Sequence, residues 1–254
     1  LNYMPGAFGW YAVTPDPGNP EHILLSDQGQ GIIFRSTNGG FEWRTVFRHP
    51  AVDADDFRRR HGFKDLAFAP SNLGVVYGGM CRESRNIDGG LADPSFGIYK
   101  SLDGGLTWRE ANDANTADQN INVLAVDSRS EDIIYAGTVK RGVLRSLDGG
   151  RTWAPLNDGL RVPDVRALAI DPENWSVLYA GTASGGVYKS TNAGRNWEQS
   201  GNGMDPQAVV RALVVDPGNP QVVYAADLRT GVYRSGDGGK LWIQINAGLR
   251  TRAV

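Results

Sequence analysis

Arginine, aspartate and glutamate crowd into two stretches of this sequence, RHPAVDADDFRRRHG at 48–62 and MCRESRNIDGGLADPSFG at 80–97. The first carries Asp53, Asp55, Asp56, Arg58, Arg59, Arg60 and His61; the second carries Arg82, Glu83, Arg85, Asp88 and Asp93. Arginine presents planar paired donors to carboxylate or phosphate, so this set suits a polar or anionic ligand. The plainer alternative is two solvated segments pairing their own charges. Two further carboxylates, Asp27 in LLSDQGQGIIFRS and Asp227 in YAADLRTGVYRS, stand at the ends of apolar runs. A carboxyl there either starts a turn by accepting bonds from nearby amides or supplies one half of an acid–base pair.

Other chemistry is thin. His22, His49 and His61 lack zinc spacing and no cysteine cluster joins them, so neither a metal nor a cofactor is expected. The single Cys81 excludes an internal disulfide framework and reads as a buried thiol. With 26 basic and 28 acidic side chains, the net charge of −2 gives no general pull toward nucleic acid or anionic membrane. No apolar run approaches membrane-spanning length, so no membrane insertion is expected. The 33 Gly and 13 Pro beside 41 % apolar residues describe a folded, turn-rich chain. Leu1 is not an initiator and no signal peptide is evident, which suggests a processed or partial chain.

What must position these groups is a repeat. The phrase SLDGGRTW at 146–153 has four near copies: STNGGFEW at 36–43, SLDGGLTW at 101–108, STNAGRNW at 190–197 and SGDGGKLW at 235–242. Their tryptophans lie 65, 45, 44 and 45 residues apart, a period in the range of β-propeller blades. Each unit holds four β-type runs; in 165–203 they are VRALAI (strand A), SVLYAGT (B), GGVYKS (C) and NWEQS (D). DPEN makes the A–B turn, and the phrase itself makes the C–D hairpin. A phrase used five times is scaffold, because a catalytic constellation is normally assembled once per domain.

These eight residues resemble the Asp-box, S-x-D-x-G-x-T-W, of sialidases, sortilin-type receptors, the photosystem II assembly factor and family 74 glycoside hydrolases. The resemblance assigns structural parts to Ser36, Asn38 and Trp43; Ser101, Asp103 and Trp108; Ser146, Asp148 and Trp153; Ser190, Asn192 and Trp197; and Ser235, Asp237 and Trp242. It implies an all-β propeller of four-stranded blades, with the boxes on the face opposite the ligand-binding one. Five complete repeats run over about 10–47, 63–111, 121–159, 165–203 and 210–248, in a single domain over 1–254. Residues 247–254, AGLRTRAV, match DGLRVPDV at 158–165 and would begin a further repeat, as expected of part of a six- to eight-bladed ring. A five-bladed ring is the alternative.

The 65-residue gap contains both charged stretches. The first replaces a D–A connection and the second a B–C turn, and in an up-and-down blade both leave from one face. The two insertions are therefore expected as neighbours on one rim, the candidate ligand site. Family 74 endoglucanases carry T-D-x-G-G-x-Y-R after strand B, and SDQGQGIIFR at 26–35 looks like that phrase with an extra residue, which makes Asp27 the matching carboxylate. The sialidase resemblance lacks that family's F/Y-R-I-P segment, and Arg35 belongs to a repeated strand-C position shared with Lys100, Arg145, Lys189 and Arg234.

The resulting expectation is a non-catalytic recognition or scaffold propeller, secreted, cell-surface or periplasmic, whose partner is a protein or a polysaccharide. The alternative is a fragment of a family 74-like glycoside hydrolase using Asp27.

Overall fold

The computed structural model describes residues 9–52, 59–84 and 96–249. They form twenty strands in five antiparallel four-stranded sheets. The first blade holds β1 (Trp10–Asp16), β2 (Asn19–Asp27), β3 (Ile32–Ser36) and β4 (Arg44–Arg48). The second holds β5 (Arg59–Ala69), β6 (Asn72–Ser84), β7 (Ile98–Ser101) and β8 (Arg109–Glu110). In the third are β9 (Ile121–Val126), β10 (Ile134–Thr138), β11 (Val143–Ser146) and β12 (Ala154–Pro155). The fourth comprises β13 (Val165–Ile170), β14 (Leu178–Thr182), β15 (Val187–Ser190) and β16 (Glu198–Gln199). The fifth comprises β17 (Val210–Val215), β18 (Val223–Asp227), β19 (Gly231–Ser235) and β20 (Trp242–Gln244).

Every sheet runs A-B-C-D in chain order, as short hairpin connections require. The chain divides into two compact units, 1–134 with 146–153, and 135–145 with 154–254. The core of the first gathers Leu24, Ile33, Phe63, Leu66, Val76 and Met80. That of the second gathers Tyr179, Val187, Val210, Val223, Tyr233 and Trp242. No helix among the described residues is long and apolar enough to cross a membrane.

The box is closed by its own side chains. In the third copy the Ser146 hydroxyl accepts the Gly150 amide (2.9 Å) and donates to Asp148 Oδ1 (2.8 Å). Asp148 in turn accepts the Arg151 and Thr152 amides and the Thr152 hydroxyl. The Thr152 hydroxyl leads the bonds that hold the Asp148 carboxyl down at about pKa 2. Gly149 and Gly150, at φ +73° and +87°, supply the left-handed pair this turn needs. Asn38 and Asn192 do the same work as Asp, each accepting the serine hydroxyl and an amide four residues on.

The third, fourth and fifth boxes also lock onto the blade before them. Trp153 Nε1 donates to the Ala111 carbonyl (3.0 Å), Trp197 to Leu156 (2.9 Å) and Trp242 to Ser200 (2.6 Å). In return the strand-C cation donates to a box carbonyl: Lys100 to Gly149, Arg145 to Ala193 and Lys189 to Gly238. In the second, third and fourth blades the strand-C cation is thus an inter-blade tie.

Candidate functional site

The departure from the repeat lies in the second blade. β5 and β6 are 11 and 13 residues long, against six and five for β13 and β14. Their pairing continues past Phe63↔Met80 through Gly62↔Cys81, His61↔Arg82 and Arg60↔Glu83 to Arg59↔Ser84. The described ends of the two insertions, Arg59–Gly62 and Cys81–Ser84, are neighbours, as the topology required. The structure differs from the expected loops in one respect, because Arg59–Gly62 and Met80–Ser84 are strand: once the chains run side by side, laddering satisfies amides a loop would leave to water. Asp53, Asp55, Asp56, Arg58, Arg85, Asp88 and Asp93 lie outside the described residues.

Alternation along β5 decides which side chains face outward. His61 shares a side with Phe63 and is 5 % exposed, so it is turned into the core rather than onto the rim. Phe96, from the second insertion, covers two histidine rings, with centroids 4.1 Å from His49 and 5.0 Å from His61. Cys81 is buried, and its thiol lies 3.7 Å from the Arg82 carbonyl. Arg82 is half-buried, and its amide donates to Asn120 Oδ1 (2.7 Å).

Beneath the hairpin is an aromatic and histidine cluster. The Ala51 amide donates to His49 Nδ1 (3.2 Å), so the ring proton sits on Nε2 and donates to the Tyr99 hydroxyl at 2.6 Å. Burial, reinforced by nearby His61, lowers the His49 pKa to about 4 and keeps the ring neutral. Phe47 and Phe63 close around Tyr99, each 5.5 Å from its ring. Gly31 threads between the two histidine backbones: its amide donates to His61 O, and its carbonyl accepts the His49 amide. At φ +62°, any side chain here would be strained and would press on His49 and Val52.

Asp27 is 1 % exposed, and its oxygens accept the amides of Gly29 (3.1 Å), Gln30 (2.6 Å) and Ile32 (2.8 Å). Burial raises its pKa while those bonds oppose the rise. Asp227 closes the fifth blade's loop alike, taking the amides of Val209, Arg229 and Thr230 and the Thr230 hydroxyl. Thr138 and Thr182 donate across the same loop to Gly142 and Gly186. The register agrees: Leu25↔Phe34 corresponds to Ala180↔Tyr188, so Asp27 occupies the station of Thr182. TASGGVYK at 182–189 fits the hydrolase phrase without an inserted residue and puts Ala183, not Thr182, at its acidic position.

One carboxylate was not singled out by its sequence motif. Asp65 of β5 accepts the Leu124 amide at 2.7 Å, beside Lys64 Nζ on Asn122 (2.6 Å). Loss of water around the carboxyl raises its pKa to about 6, the Leu124 bond pulling the other way. The signal was present: FKDLAFAP has Asp65 where VRALAIDP has Ala167 and VRALVVDP has Ala212. Among the described residues no group of three His, Cys, Asp or Glu is placed to hold a metal ion.

Comparison with known proteins bears on what this frame is. The family Photosynthesis system II assembly factor YCF48 matches residues 89–205. A xyloglucanase of Paenibacillus sp is 28 % identical over 107 residues, which are 41 % of this chain and 10 % of that protein. The GH74 xyloglucanase of Xanthomonas campestris superposes with a TM-score of 0.69 at 22 % identity, over 94 % of this chain and 38 % of that one. The chain is an Asp-box β-propeller. YCF48 bound to D1 peptide shares the fold at a TM-score of 0.51 and 17 % identity, over 96 % of this propeller and 86 % of that chain. This propeller therefore spans a tenth of the curated enzyme it matches and well under half of the xyloglucanase structure, and is related to both groups.

Proposed function

We propose that this propeller is a non-catalytic recognition module of a secreted or cell-surface protein that takes a protein or polysaccharide across the extended β5–β6 hairpin. The observation that supports this most is the hairpin itself. It is the place where a five-fold frame departs from its pattern, and binding residues gather on such departures. The groups beneath it support binding over chemistry: His49 and His61 are buried, and Asp27 is occupied by loop amides. A relative that is a xyloglucanase and a similar fold, YCF48 bound to D1 peptide, both lend the ligand class weight.

The test is retention of the chain on immobilised β-glucans and on peptide arrays, beside a variant whose insertions are replaced by the short connections of the fourth blade. Retention that disappears in the folded variant supports the hairpin as the site, and equal retention sinks it.

A second reading, a fragment of a xyloglucan-type hydrolase, has the Paenibacillus match in its favour. It needs two carboxyls, and burial raises the pKa of both Asp27 and Asp65. Xyloglucan hydrolysis by the chain that is lost in both Asp65→Asn and Asp27→Ala would favour it; no hydrolysis by the folded chain removes it.

A further inference from the structure

The joints between successive blades share one plan on the box side, and one of them departs from it in charge. Three stations recur: a strand-C cation, the strand-D residue paired with it and the sixth residue of the next box. From the first joint to the fourth, the last two stations hold Arg44 and Leu106, Arg109 and Arg151, Ala154 and Arg195, and Glu198 and Lys240. Among these four, the second joint alone sets arginine at both.

That joint lies within one compact unit and opens a cleft of about 570 Å³, lined by Lys100, Arg109, Asp132, Asp148 and Arg151. Lys100 is 7 % exposed and donates to Gly149 O (3.4 Å). Burial lowers its pKa; Asp132 opposes that shift and Arg109 adds to it, so the arginine is near enough to repel the ammonium.

The carboxylates of the cleft are engaged elsewhere. Asp132 lies 3.6 Å from Lys100. Asp148 is taken up by the Ser146 and Thr152 hydroxyls and the Arg151 and Thr152 amides. Glu110 pairs with Tyr99 while Arg109 pairs with Lys100, so the alternation of strand β8 turns Glu110 to the other side of the sheet. Among the described residues neither guanidinium has a hydrogen-bond or ion-pair partner. The cleft at the fourth joint, about 680 Å³, also holds two cations, Lys189 and Lys240, but has Glu198 at the station of Arg109 and so carries its own counter-charge.

We propose that the cleft of the second joint binds a tetrahedral oxyanion, phosphate or sulfate, free or borne by a small molecule, clamped by Arg109 and Arg151 over Lys100. The three cations come from β7, β8 and the third box, and three directions of approach suit a group with three free oxygens better than a flat carboxylate. The site is on the box side and does not rest on the reading of the β5–β6 hairpin.

The experiment is calorimetric titration of the purified chain with inorganic phosphate, inorganic sulfate, glucose 6-phosphate and acetate at constant ionic strength. The expected result is saturable one-to-one binding of a tetrahedral anion, weakened at least about tenfold in Arg109→Gln and in Arg151→Gln, as for loss of a charge-assisted pair. Both variants should keep the Tm of the unaltered chain in the absence of anion. Lys240→Gln, at the same station of the fifth box, should bind as the unaltered chain does. Equal binding of the inorganic ions and the ester supports the free ion as ligand, and tighter binding of the ester supports a phosphorylated small molecule. No saturable binding of any tetrahedral anion overturns the proposal. So does binding that survives both arginine variants, equal binding of acetate, or an equal loss in Lys240→Gln.

Discussion

The second and fourth blades are built on one plan and differ on one side only. Both have the Ser–Asp/Asn box, a strand-C lysine tied to the next box and a strand-B tyrosine bonded to a backbone carbonyl of the next blade. At the other end the fourth blade turns in a five-residue loop closed by Thr182, while the second runs on into the β5–β6 hairpin over His49, Phe96 and Tyr99. The lesson is a separation of duties. The box side repeats one set of blade-to-blade bonds, whereas the opposite side varies and joins the first two blades by bonds of its own, His49 to Tyr99 and Gly31 to His61.

That separation can be broken most severely at the tryptophans. Trp153→Ala and Trp197→Ala should each cost about 3–5 kcal/mol, as expected for deleting a buried indole. Guanidinium unfolding should give the two similar losses, and a several-fold inequality would mean the frames are not equivalent. Ser146→Ala and Ser190→Ala come next, at about 1–3 kcal/mol each, because each strands a buried glycine amide. The same titration checks them, and a loss below experimental error would remove the serine from the account.

The varied side should instead reveal itself through pH. His49 has its pKa lowered to about 4, so its contribution is fully present above its ordinary value of 6.5 and is lost as pH falls toward 4. Asp65 has its pKa raised to about 6 from 3.8, so its contribution is present below 3.8 and is lost as pH rises through 6. Each effect is worth of order 3 kcal/mol across its window. His49→Asn should flatten the acid side of a Tm–pH profile and Asp65→Asn the side rising to pH 6; Tyr188→Phe in the fourth blade should change neither slope. An unchanged profile in both site variants would show that the pH sensitivity lies elsewhere. The smallest effect is expected at Leu147→Ser, a box position 59 % exposed, within about 0.5 kcal/mol. A larger loss there would reveal a contact on the box face.

Much of the frame was legible in the sequence because it is written five times. Serine, the second glycine and tryptophan recur at fixed offsets, and the serine, Asp and glycine bonds close within eight residues. The nearness of the two insertions was legible too, since it follows from strand direction alone. Their conversion to strand was not, because Arg59–Gly62 becomes β only by pairing with residues about 20 positions away. The His49–Tyr99 bond, 50 residues apart, and the Asp65–Leu124 bond, 59 apart, are tertiary facts with no local signature. The ladder puts Asp27 at the loop-closing station of Thr182, a register the motif alone does not carry.

The self-closing box has a consequence for how the chain is made. Its serine, aspartate and glycine bonds need nothing beyond eight consecutive residues, so a hairpin of this kind forms in microseconds once those residues are free. Synthesis delivers residues at about 5–20 per second, far slower than that. Each box should therefore be shaped before the next blade emerges, leaving its indole ready for the carbonyl already waiting on the preceding strand D. Assembly then proceeds by neighbour addition, in the order of translation.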